Sequence, residues 1–133
     1  MSVLFHYAPQ FVLHSGMKSV WKIDCDALSF GDIHALARMI RLIVPPFAVV
    51  EGVPRGGLLL AKLLSQYCIR PPGPLLIVDD VLTTGESMEQ HRAGRIARGV
   101  VIFARGPVPS WVTPLFQAAD QLIALDEQRH DAH

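Results

Sequence analysis

An apolar run that ends in two carboxylates, followed by a short hydroxyl-rich turn, constrains the fold of this chain more than any other stretch. The run is residues 75–78, the acids are Asp79 and Asp80, and the turn is residues 83–87. Because the run shows no alternation of polar and apolar residues, it predicts a parallel strand that is covered on both faces. The two acids should then lie at the carboxyl end of a central strand, where open α/β sheets bind their ligands.

The turn that follows is suited to an anion. Its small and hydroxyl-bearing residues offer backbone N–H groups and side-chain hydroxyls, and Gly85 is free to take a positive φ. A helix that begins here would add a favourable dipole. Taken alone, an acid pair at a strand end also serves as a cap or a metal-binding group in other families. Together with the turn, it indicates a site for a sugar phosphate.

Residues 75–87 resemble the phosphoribosyl pyrophosphate (PRPP) signature of the type I phosphoribosyltransferases. The resemblance implies that Asp79 and Asp80 are the catalytic acids and bind the ribose hydroxyls. It also implies that the 5′-phosphate is wrapped by Thr83, Thr84, Gly85, Glu86 and Ser87. Mg²⁺ is the implied cofactor, held mainly by the oxygens of PRPP and with no direct protein ligand, which suits a hard cation that prefers oxygen donors.

Two other families are excluded, and the first of them, the receiver domains of bacterial signalling, shares the acid pair at a strand end. Receiver domains place their acid pair on the first strand and need a lysine on a later strand, whereas here no lysine follows Lys62. A P-loop ATPase would need the spacing Gly-x-x-x-x-Gly-Lys-Ser/Thr, which does not occur in the sequence.

A second strand–turn–helix unit precedes the acid pair. Residues 47–51 predict a buried strand, residues 52–57 a glycine-rich turn, and residues 58–66 a helix. A Gly-Gly turn alone is a common connection between strand and helix. Beside the acid pair it is similar to the pyrophosphate loop of phosphoribosyltransferases, which implies a pyrophosphate site made by Val53, Pro54, Arg55, Gly56 and Gly57. Orotate enzymes often carry a lysine where Gly56 stands.

The amino-terminal segment predicts a β-hairpin, with strands at 11–14 and 20–24 around a Ser-Gly turn. It is similar to the hood of orotate phosphoribosyltransferases, a small segment that helps to hold the base. That similarity implies base-binding roles for His14, Lys18, Lys22 and Ile23. As residues alone, His14 and Lys18 fit solvated turn positions equally well. Arg105 follows a predicted strand at 100–104 and is a further candidate for contact with the base or pyrophosphate.

The remaining segments complete an α/β domain. Apolar periodicity predicts helices over 32–43 and from Ser87 to about Ala97, the latter with His91, Arg92 and Arg95 on its solvated face. Thr113 and Pro114 resemble a helix N-cap and first position, and residues 121–125 a last strand. Trp111 is expected to fill the core, with a role in the hood as the alternative.

The sequence thus predicts a single domain over residues 1–133, with a hood at 1–31, a core at 32–125 and a tail at 126–133. The fold class is α/β, with an open, mainly parallel sheet of about four strands and helices on both faces. It is the sheet that the type I phosphoribosyltransferase resemblance implies.

Charge and composition limit the partners. The chain has 12 Lys and Arg residues against 12 Asp and Glu, so no overall basic field attracts nucleic acid. No apolar run approaches the roughly 20 residues of a membrane span, and a cytoplasmic location is expected. The two cysteines are too few and too far apart for a disulfide framework or a zinc site. The expected partners are PRPP, a nucleobase or orotate, and a second copy of the chain in a homodimer.

The resemblance implies transfer of the phosphoribosyl group from PRPP to a nitrogenous base, with an orotate-like pyrimidine favoured, and release of pyrophosphate. One departure leaves an alternative open. Where the family has a long mobile loop that covers PRPP, this chain has only the proline-rich connector 70–74, which is too short and stiff to act as a lid. The alternative is a PRPP-binding regulatory or accessory protein that has lost turnover.

Overall fold

The computed structural model of the protein describes residues 5–12, 18–23, 25 and 28–118. The strands are β1 (Phe5–Val12), β2 (Lys18–Ile23), β3 (Val49–Gly52), β4 (Leu75–Leu82), β5 (Arg98–Arg105) and β6 (Val112–Ala118). The helices are α1 (Phe30–Ile43), α2 (Leu58–Leu64) and α3 (Glu86–Arg92), and a short 3₁₀ turn, Ser65–Tyr67, follows α2. None of these helices is long and apolar enough to cross a membrane.

Four of the strands form a parallel sheet in the order β3-β4-β5-β6. The apolar run that the sequence marked as a central strand is β4, which pairs with β3 on one side and β5 on the other. Its pairing continues through the acids, since Asp79 faces Val101 and Val81 faces Phe103 across the ladder. The acid pair is therefore held by the sheet itself rather than by a loop after the strand.

Side chains that point to opposite faces of the sheet build two separate cores. On one face, Leu76 and Val78 pack with residues of α1 and α2, including Ile40 and Leu64. On the other face, Ile77 lies in a cluster with Met88 of α3. Burial on both faces explains why β4 has no polar alternation. The predicted fold class, an open α/β sheet with helices on both faces, is confirmed.

Helix α1 begins with a capping box. The Ser29 hydroxyl accepts a hydrogen bond from the backbone N–H of Asp32 (3.0 Å), and the Asp32 carboxylate accepts one from the N–H of Ser29 (2.9 Å). Two of the N–H groups that a helix start leaves unpaired are thereby satisfied. The helix consequently starts two residues before the predicted position 32, and its Leu36, Ala37 and Ile40 are buried.

The amino-terminal hairpin is confirmed, with a longer first strand than predicted. Strands β1 and β2 pair antiparallel in a sheet of their own, with Phe5 opposite Ile23 and Val12 opposite Lys18. The turn between them, residues 13–17, lies outside the described residues.

One sequence prediction for the second half of the core is wrong. Thr113 and Pro114 do not begin a helix but lie in β6, opposite Val100 and Val101 of β5. Within the described residues β6 is the edge of the sheet, where a proline without an N–H is tolerated. The strand predicted at 121–125 lies outside the described residues.

Helix α3 is also shorter than predicted. It ends at Arg92 because Ala93 (φ 51°) and Gly94 (φ 76°) both take left-handed conformations, which stop a helix. The chain then turns directly into β5 rather than continuing as helix to Ala97.

The cap of α1 gives a first testable prediction. Ser29→Ala should lower the free energy of unfolding by about 1 kcal/mol, because the N–H of Asp32 loses its acceptor. Urea denaturation followed by circular dichroism measures the change. Ser29→Thr, which keeps a hydroxyl at the cap, should be nearly neutral. Equal losses in both variants would contradict the capping role.

Candidate functional site

The predicted ligand-binding segments follow the carboxyl ends of neighbouring strands. Because β3, β4 and β5 run parallel, these ends lie on the same side of the sheet, which we call the carboxyl edge. The carboxyl end of β3 leads into the glycine-rich turn 53–57, which we call the pyrophosphate loop after its predicted role. The end of β4 carries Asp79 and Asp80 and leads into residues 83–87, the phosphate turn. Strand β5 ends at Arg105 on the same edge.

Asp79 is the deepest acidic residue of this edge, with only 7% of its surface exposed. Its Oδ1 accepts a hydrogen bond from the backbone N–H of Asp80 (2.8 Å). The pKa of Asp79 is raised to about 8, mainly because the carboxyl group is buried and secondly because the Asp80 carboxyl group lies beside it. In the ligand-free protein at neutral pH, Asp79 is therefore largely protonated and can donate a hydrogen bond as well as accept one.

Asp80 is half-buried, and its carboxylate is fixed from two directions. Its Oδ1 accepts a hydrogen bond from the backbone N–H of Val81 (2.7 Å). On the other side the carboxylate lies against the α-carbon of Gly56, so closely that a β-carbon at position 56 would overlap with it. The lysine that orotate enzymes often carry at this position could not be accommodated without moving Asp80.

The pyrophosphate loop is anchored tightly to β4. The N–H of Val53 donates to the carbonyl of Val78 (2.8 Å), and the N–H of Gly57 donates back to the carbonyl of Val53 (2.9 Å). A β-carbon at Gly57 would overlap with the Val78 carbonyl, so the close approach requires glycine. Val53 is buried, and the residues between the anchors, Pro54, Arg55 and Gly56, are exposed. The loop thus presents an accessible tip on a rigid base.

The phosphate turn leads into α3 as predicted. Gly85 is buried in the left-handed conformation (φ 83°), which other residues adopt only with strain. The Thr84 hydroxyl accepts a hydrogen bond from the N–H of Glu86 (3.3 Å), and the N–H of Glu89 donates to the carbonyl of Gly85 (3.0 Å) to begin the helix. Thr84, Glu86 and Ser87 are exposed at this edge, and Thr83 is half-buried.

The other predicted site residues are less closely grouped. Arg105 lies at the carboxyl end of β5, partly buried, and that burial lowers the pKa of its guanidinium. Lys18, Lys22 and Ile23 lie on β2, in the separate amino-terminal sheet. His14 falls outside the described residues.

The connector between α2 and β4 runs along the opposite edge of the sheet. The N–H of Ile69 donates to the carbonyl of Phe47 (2.8 Å), and the N–H of Ala48 donates to the carbonyl of Pro74 (2.9 Å). Both contacts lie next to the first residues of β3 and β4. This segment is therefore placed far from the acid pair and does not cover it.

Sequence reasoning missed a polar cluster behind the site. His91 and Arg95, predicted to lie on a solvated face, both bind Glu51 at the end of β3. The sequence pattern that could have revealed this cluster is the four-residue spacing of His91 and Arg95, together with the acid Glu51 at the start of the glycine-rich segment. Trp111 packs partly buried against the second core, as predicted, and its indole N–H also donates to Oε1 of Glu89 (2.7 Å).

The raised pKa of Asp79 predicts how stability depends on pH. Between about pH 5 and pH 8 the folded protein holds a proton that the unfolded chain has already released, so wild-type stability should fall as pH rises through this window and level off above it. Asp79→Asn has no such proton and should be more stable than the wild type at pH 9 by more than about 1 kcal/mol.

Urea denaturation across this pH range measures the difference. The window avoids the acids whose pKa values are lowered by hydrogen bonds, Asp32, Glu51 and Glu89, since those titrate at acid pH. Parallel pH profiles for the wild type and Asp79→Asn would contradict the raised pKa.

Comparisons with known proteins bear on the fold. No protein-family model and no curated protein sequence matches the chain. Among solved structures, orotate phosphoribosyltransferase from Aeropyrum pernix is similar at 24% identity, covering 90% of this chain and 91% of that one, with a TM-score of 0.63. Leishmania donovani UMP synthase matches 96% of this chain over 36% of its own length, at 18% identity and a TM-score of 0.66.

A third similar structure was solved with a ligand. Mycobacterium tuberculosis orotate phosphoribosyltransferase in complex with PRPP matches at 17% identity and a TM-score of 0.60, covering 80% of this chain and 86% of that one. The amino-terminal hairpin, the parallel sheet and the helices on both faces thus form the type I phosphoribosyltransferase fold, in the form that orotate phosphoribosyltransferases share.

Proposed function

We propose that the protein is a phosphoribosyltransferase that moves the 5-phosphoribosyl group from PRPP to a ring nitrogen of a base and releases pyrophosphate. An orotate-like pyrimidine is the favoured acceptor. The observation that carries the proposal is the convergence of the acid pair, the phosphate turn and the pyrophosphate loop at one edge of the sheet. A ligand with a ribose between two phosphate groups matches this arrangement in chemistry and in order.

In the proposed reaction the bond from C1 of the ribose to the pyrophosphate oxygen breaks as the bond from C1 to the base nitrogen forms, and the proton of that nitrogen is released to water or to the leaving pyrophosphate. Positive charge develops on the ribose ring, so catalysis depends on positioning and electrostatics rather than on a protein nucleophile. Asp79 and Asp80 hold the ribose through its hydroxyls. Residues 83–87 hold the 5′-phosphate, and residues 53–57 hold the departing pyrophosphate.

The donor groups of this edge are compatible with Mg²⁺ as cofactor. Carboxylate oxygens are ligands that Mg²⁺ accepts, and the ion usually keeps several waters and phosphate oxygens. Within the described ranges no three His, Cys, Asp or Glu side chains are grouped to hold a metal ion. In this proposal Mg²⁺ would be held mainly by the oxygens of PRPP, near Asp79 and Asp80, and would neutralise charge on the leaving pyrophosphate.

The placement of the connector favours a second candidate. Since residues 68–74 lie on the far edge of the sheet, they cannot exclude water from the reacting carbon. A PRPP-binding regulatory or accessory protein would need the binding groups without a cover. The main proposal includes assembly as a homodimer, in which a second copy of the chain would cover the site. It also includes a cytoplasmic location.

An activity assay separates the two candidates. The purified protein is incubated with labelled PRPP, Mg²⁺ and a pool of pyrimidine and purine bases including orotate, and the products are resolved by chromatography. We expect a labelled nucleotide and pyrophosphate in equal amounts. Intact PRPP, together with measurable PRPP binding, would instead support the regulatory candidate.

Replacing the acid pair should abolish PRPP binding under either candidate. Asp79→Asn combined with Asp80→Asn should weaken the affinity at least about 100-fold, since a hydrogen bond contributes about 1 kcal/mol from a neutral group such as protonated Asp79 and about 1.5–3 kcal/mol from a charged one. Isothermal titration calorimetry measures the affinity. Glu89→Gln, the same chemical change on the exposed face of α3, is the control. Unchanged affinity in the double variant would refute the site.

The contact between Gly56 and Asp80 gives a further prediction. Gly56→Ala would push the Asp80 carboxylate from its place, because a β-carbon would overlap with the end of that side chain, and the misplaced carboxylate should lower PRPP affinity about tenfold. Gly31→Ala, in the exposed first turn of α1 where a β-carbon meets nothing closer than 3.7 Å, is the matched control. Equal PRPP affinities for Gly56→Ala and Gly31→Ala would show that PRPP binding does not depend on the position of the Asp80 carboxylate.

A further inference from the structure

A partly exposed ion pair links strand β3 to the end of helix α3. The carboxylate of Glu51 binds the guanidinium of Arg95 through two hydrogen bonds, from Nη1 to Oε2 (2.9 Å) and from Nη2 to Oε1 (2.8 Å). Its Oε1 also lies 2.9 Å from Nε2 of His91. The side chains of Glu51 and His91 are 32% and 24% exposed, so the cluster is partly shielded from solvent.

The arginine is itself held in a fixed position. Its Nε donates to the carbonyl of Arg92 (3.0 Å), and its Nη2 also donates to the carbonyl of His91 (2.9 Å). These carbonyls belong to the last turn of α3, which has no further helical residues to bond them. Arg95 therefore caps the carboxyl end of α3, and its guanidinium donates two hydrogen bonds to Glu51 of β3. The hydrogen bond from Arg95 lowers the pKa of Glu51, so the carboxylate is charged at neutral pH.

The position of Glu51 in the chain gives this cluster its importance. Glu51 is the second-last residue of β3, and only Gly52 separates it from the pyrophosphate loop. His91 lies on α3, which begins at the phosphate turn. The two loops leave different strands, and the bonds of Glu51 cross from the strand that carries one loop to the helix that follows the other.

We propose that Glu51 is a positioning residue that fixes the distance between the pyrophosphate loop and the phosphate turn, and so makes the site selective for a ligand phosphorylated at both ends. This inference rests on the proposed PRPP site. Glu51 does not touch the ligand; it acts through Arg95 and His91.

The selectivity follows from how a two-ended ligand binds. When one phosphate is seated, the other is captured with an effective concentration that depends on how well the span of the site matches the ligand. Small misplacements of rigid binding groups are costly for this second step. A ligand with a single phosphate needs only one loop, so its affinity does not depend on the distance between them.

A second ion pair on α3 supplies a matched control. Glu89 accepts hydrogen bonds from Arg92 (2.6 Å) and from the indole N–H of Trp111 (2.7 Å), and the Arg92 guanidinium lies 4.5 Å from the Trp111 ring centre. This contact ties α3 to the connection between β5 and β6, on the other side from β3. Glu89→Gln therefore loosens the same helix without loosening its link to the pyrophosphate loop.

The test compares ligands as well as variants. Affinities for PRPP and for ribose 5-phosphate, both with Mg²⁺, are measured by calorimetry for the wild type, Glu51→Gln and Glu89→Gln. Glu51→Gln should bind PRPP about tenfold more weakly and should bind ribose 5-phosphate with unchanged affinity. Only PRPP, with a phosphate group at each end, depends on the distance between the pyrophosphate loop and the phosphate turn. Glu89→Gln should keep the wild-type ratio of the two affinities. If Glu51→Gln fails to fold, Arg95→Lys, which keeps the charge and loses the paired hydrogen bonds, takes its place.

The outcomes separate the inference from the proposed function. A wild-type protein that does not bind PRPP refutes the proposed function, and the positioning role with it. A wild-type protein that binds PRPP, with an unchanged ratio in Glu51→Gln, refutes the positioning role alone. Equal weakening of both ligands would mean that Glu51 only supports the fold, which also overturns the inference.

Discussion

The burial of the Asp79 carboxyl group at the end of β4 is the constraint on which the rest of the site depends. A strand covered on both faces can place a side chain at the sheet edge with little exposure to water, here 7%. The consequence is a pKa near 8 and a carboxyl group that opposes folding at neutral and higher pH. Such a group is retained where it has a task that an apolar residue could not perform. Hydrogen bonding to sugar hydroxyls is such a task, because a carboxyl group can both donate and accept.

The second constraint is the close approach of two backbones around the acid pair. Gly56 and Gly57 let the pyrophosphate loop lie directly on Asp80 and on the carbonyl of Val78. This contact joins the pyrophosphate loop to the end of β4, more than twenty residues later in the sequence. The Glu51 cluster adds a connection from β3 to the end of α3, through side chains rather than backbone. Both contacts restrict movement of the segments around the acid pair, which suits a mechanism that depends on positioning.

The sequence was informative where the signal was contiguous. The apolar run, the acid pair and the glycine turns each specify their own local structure, so β4, the two loops and the α/β class followed from them. It failed where tertiary contacts decide between alternatives. Thr113 and Pro114 have the composition of a helix start, but pairing with β5 makes them a strand. Ala93 takes a left-handed conformation that a non-glycine residue seldom signals. The partners of Glu51 lie about 40 residues away and could not be assigned before the sheet was known.

The proposed function requires the carboxyl ends of β3 and β4 to bind PRPP in a defined orientation. The most direct measurement is a crystal structure of the protein with PRPP and Mg²⁺. We expect the 5′-phosphate at residues 83–87, the ribose hydroxyls on Asp79 and Asp80, and the pyrophosphate at residues 53–57. PRPP bound elsewhere, or with its two phosphate ends exchanged between the loops, would contradict it.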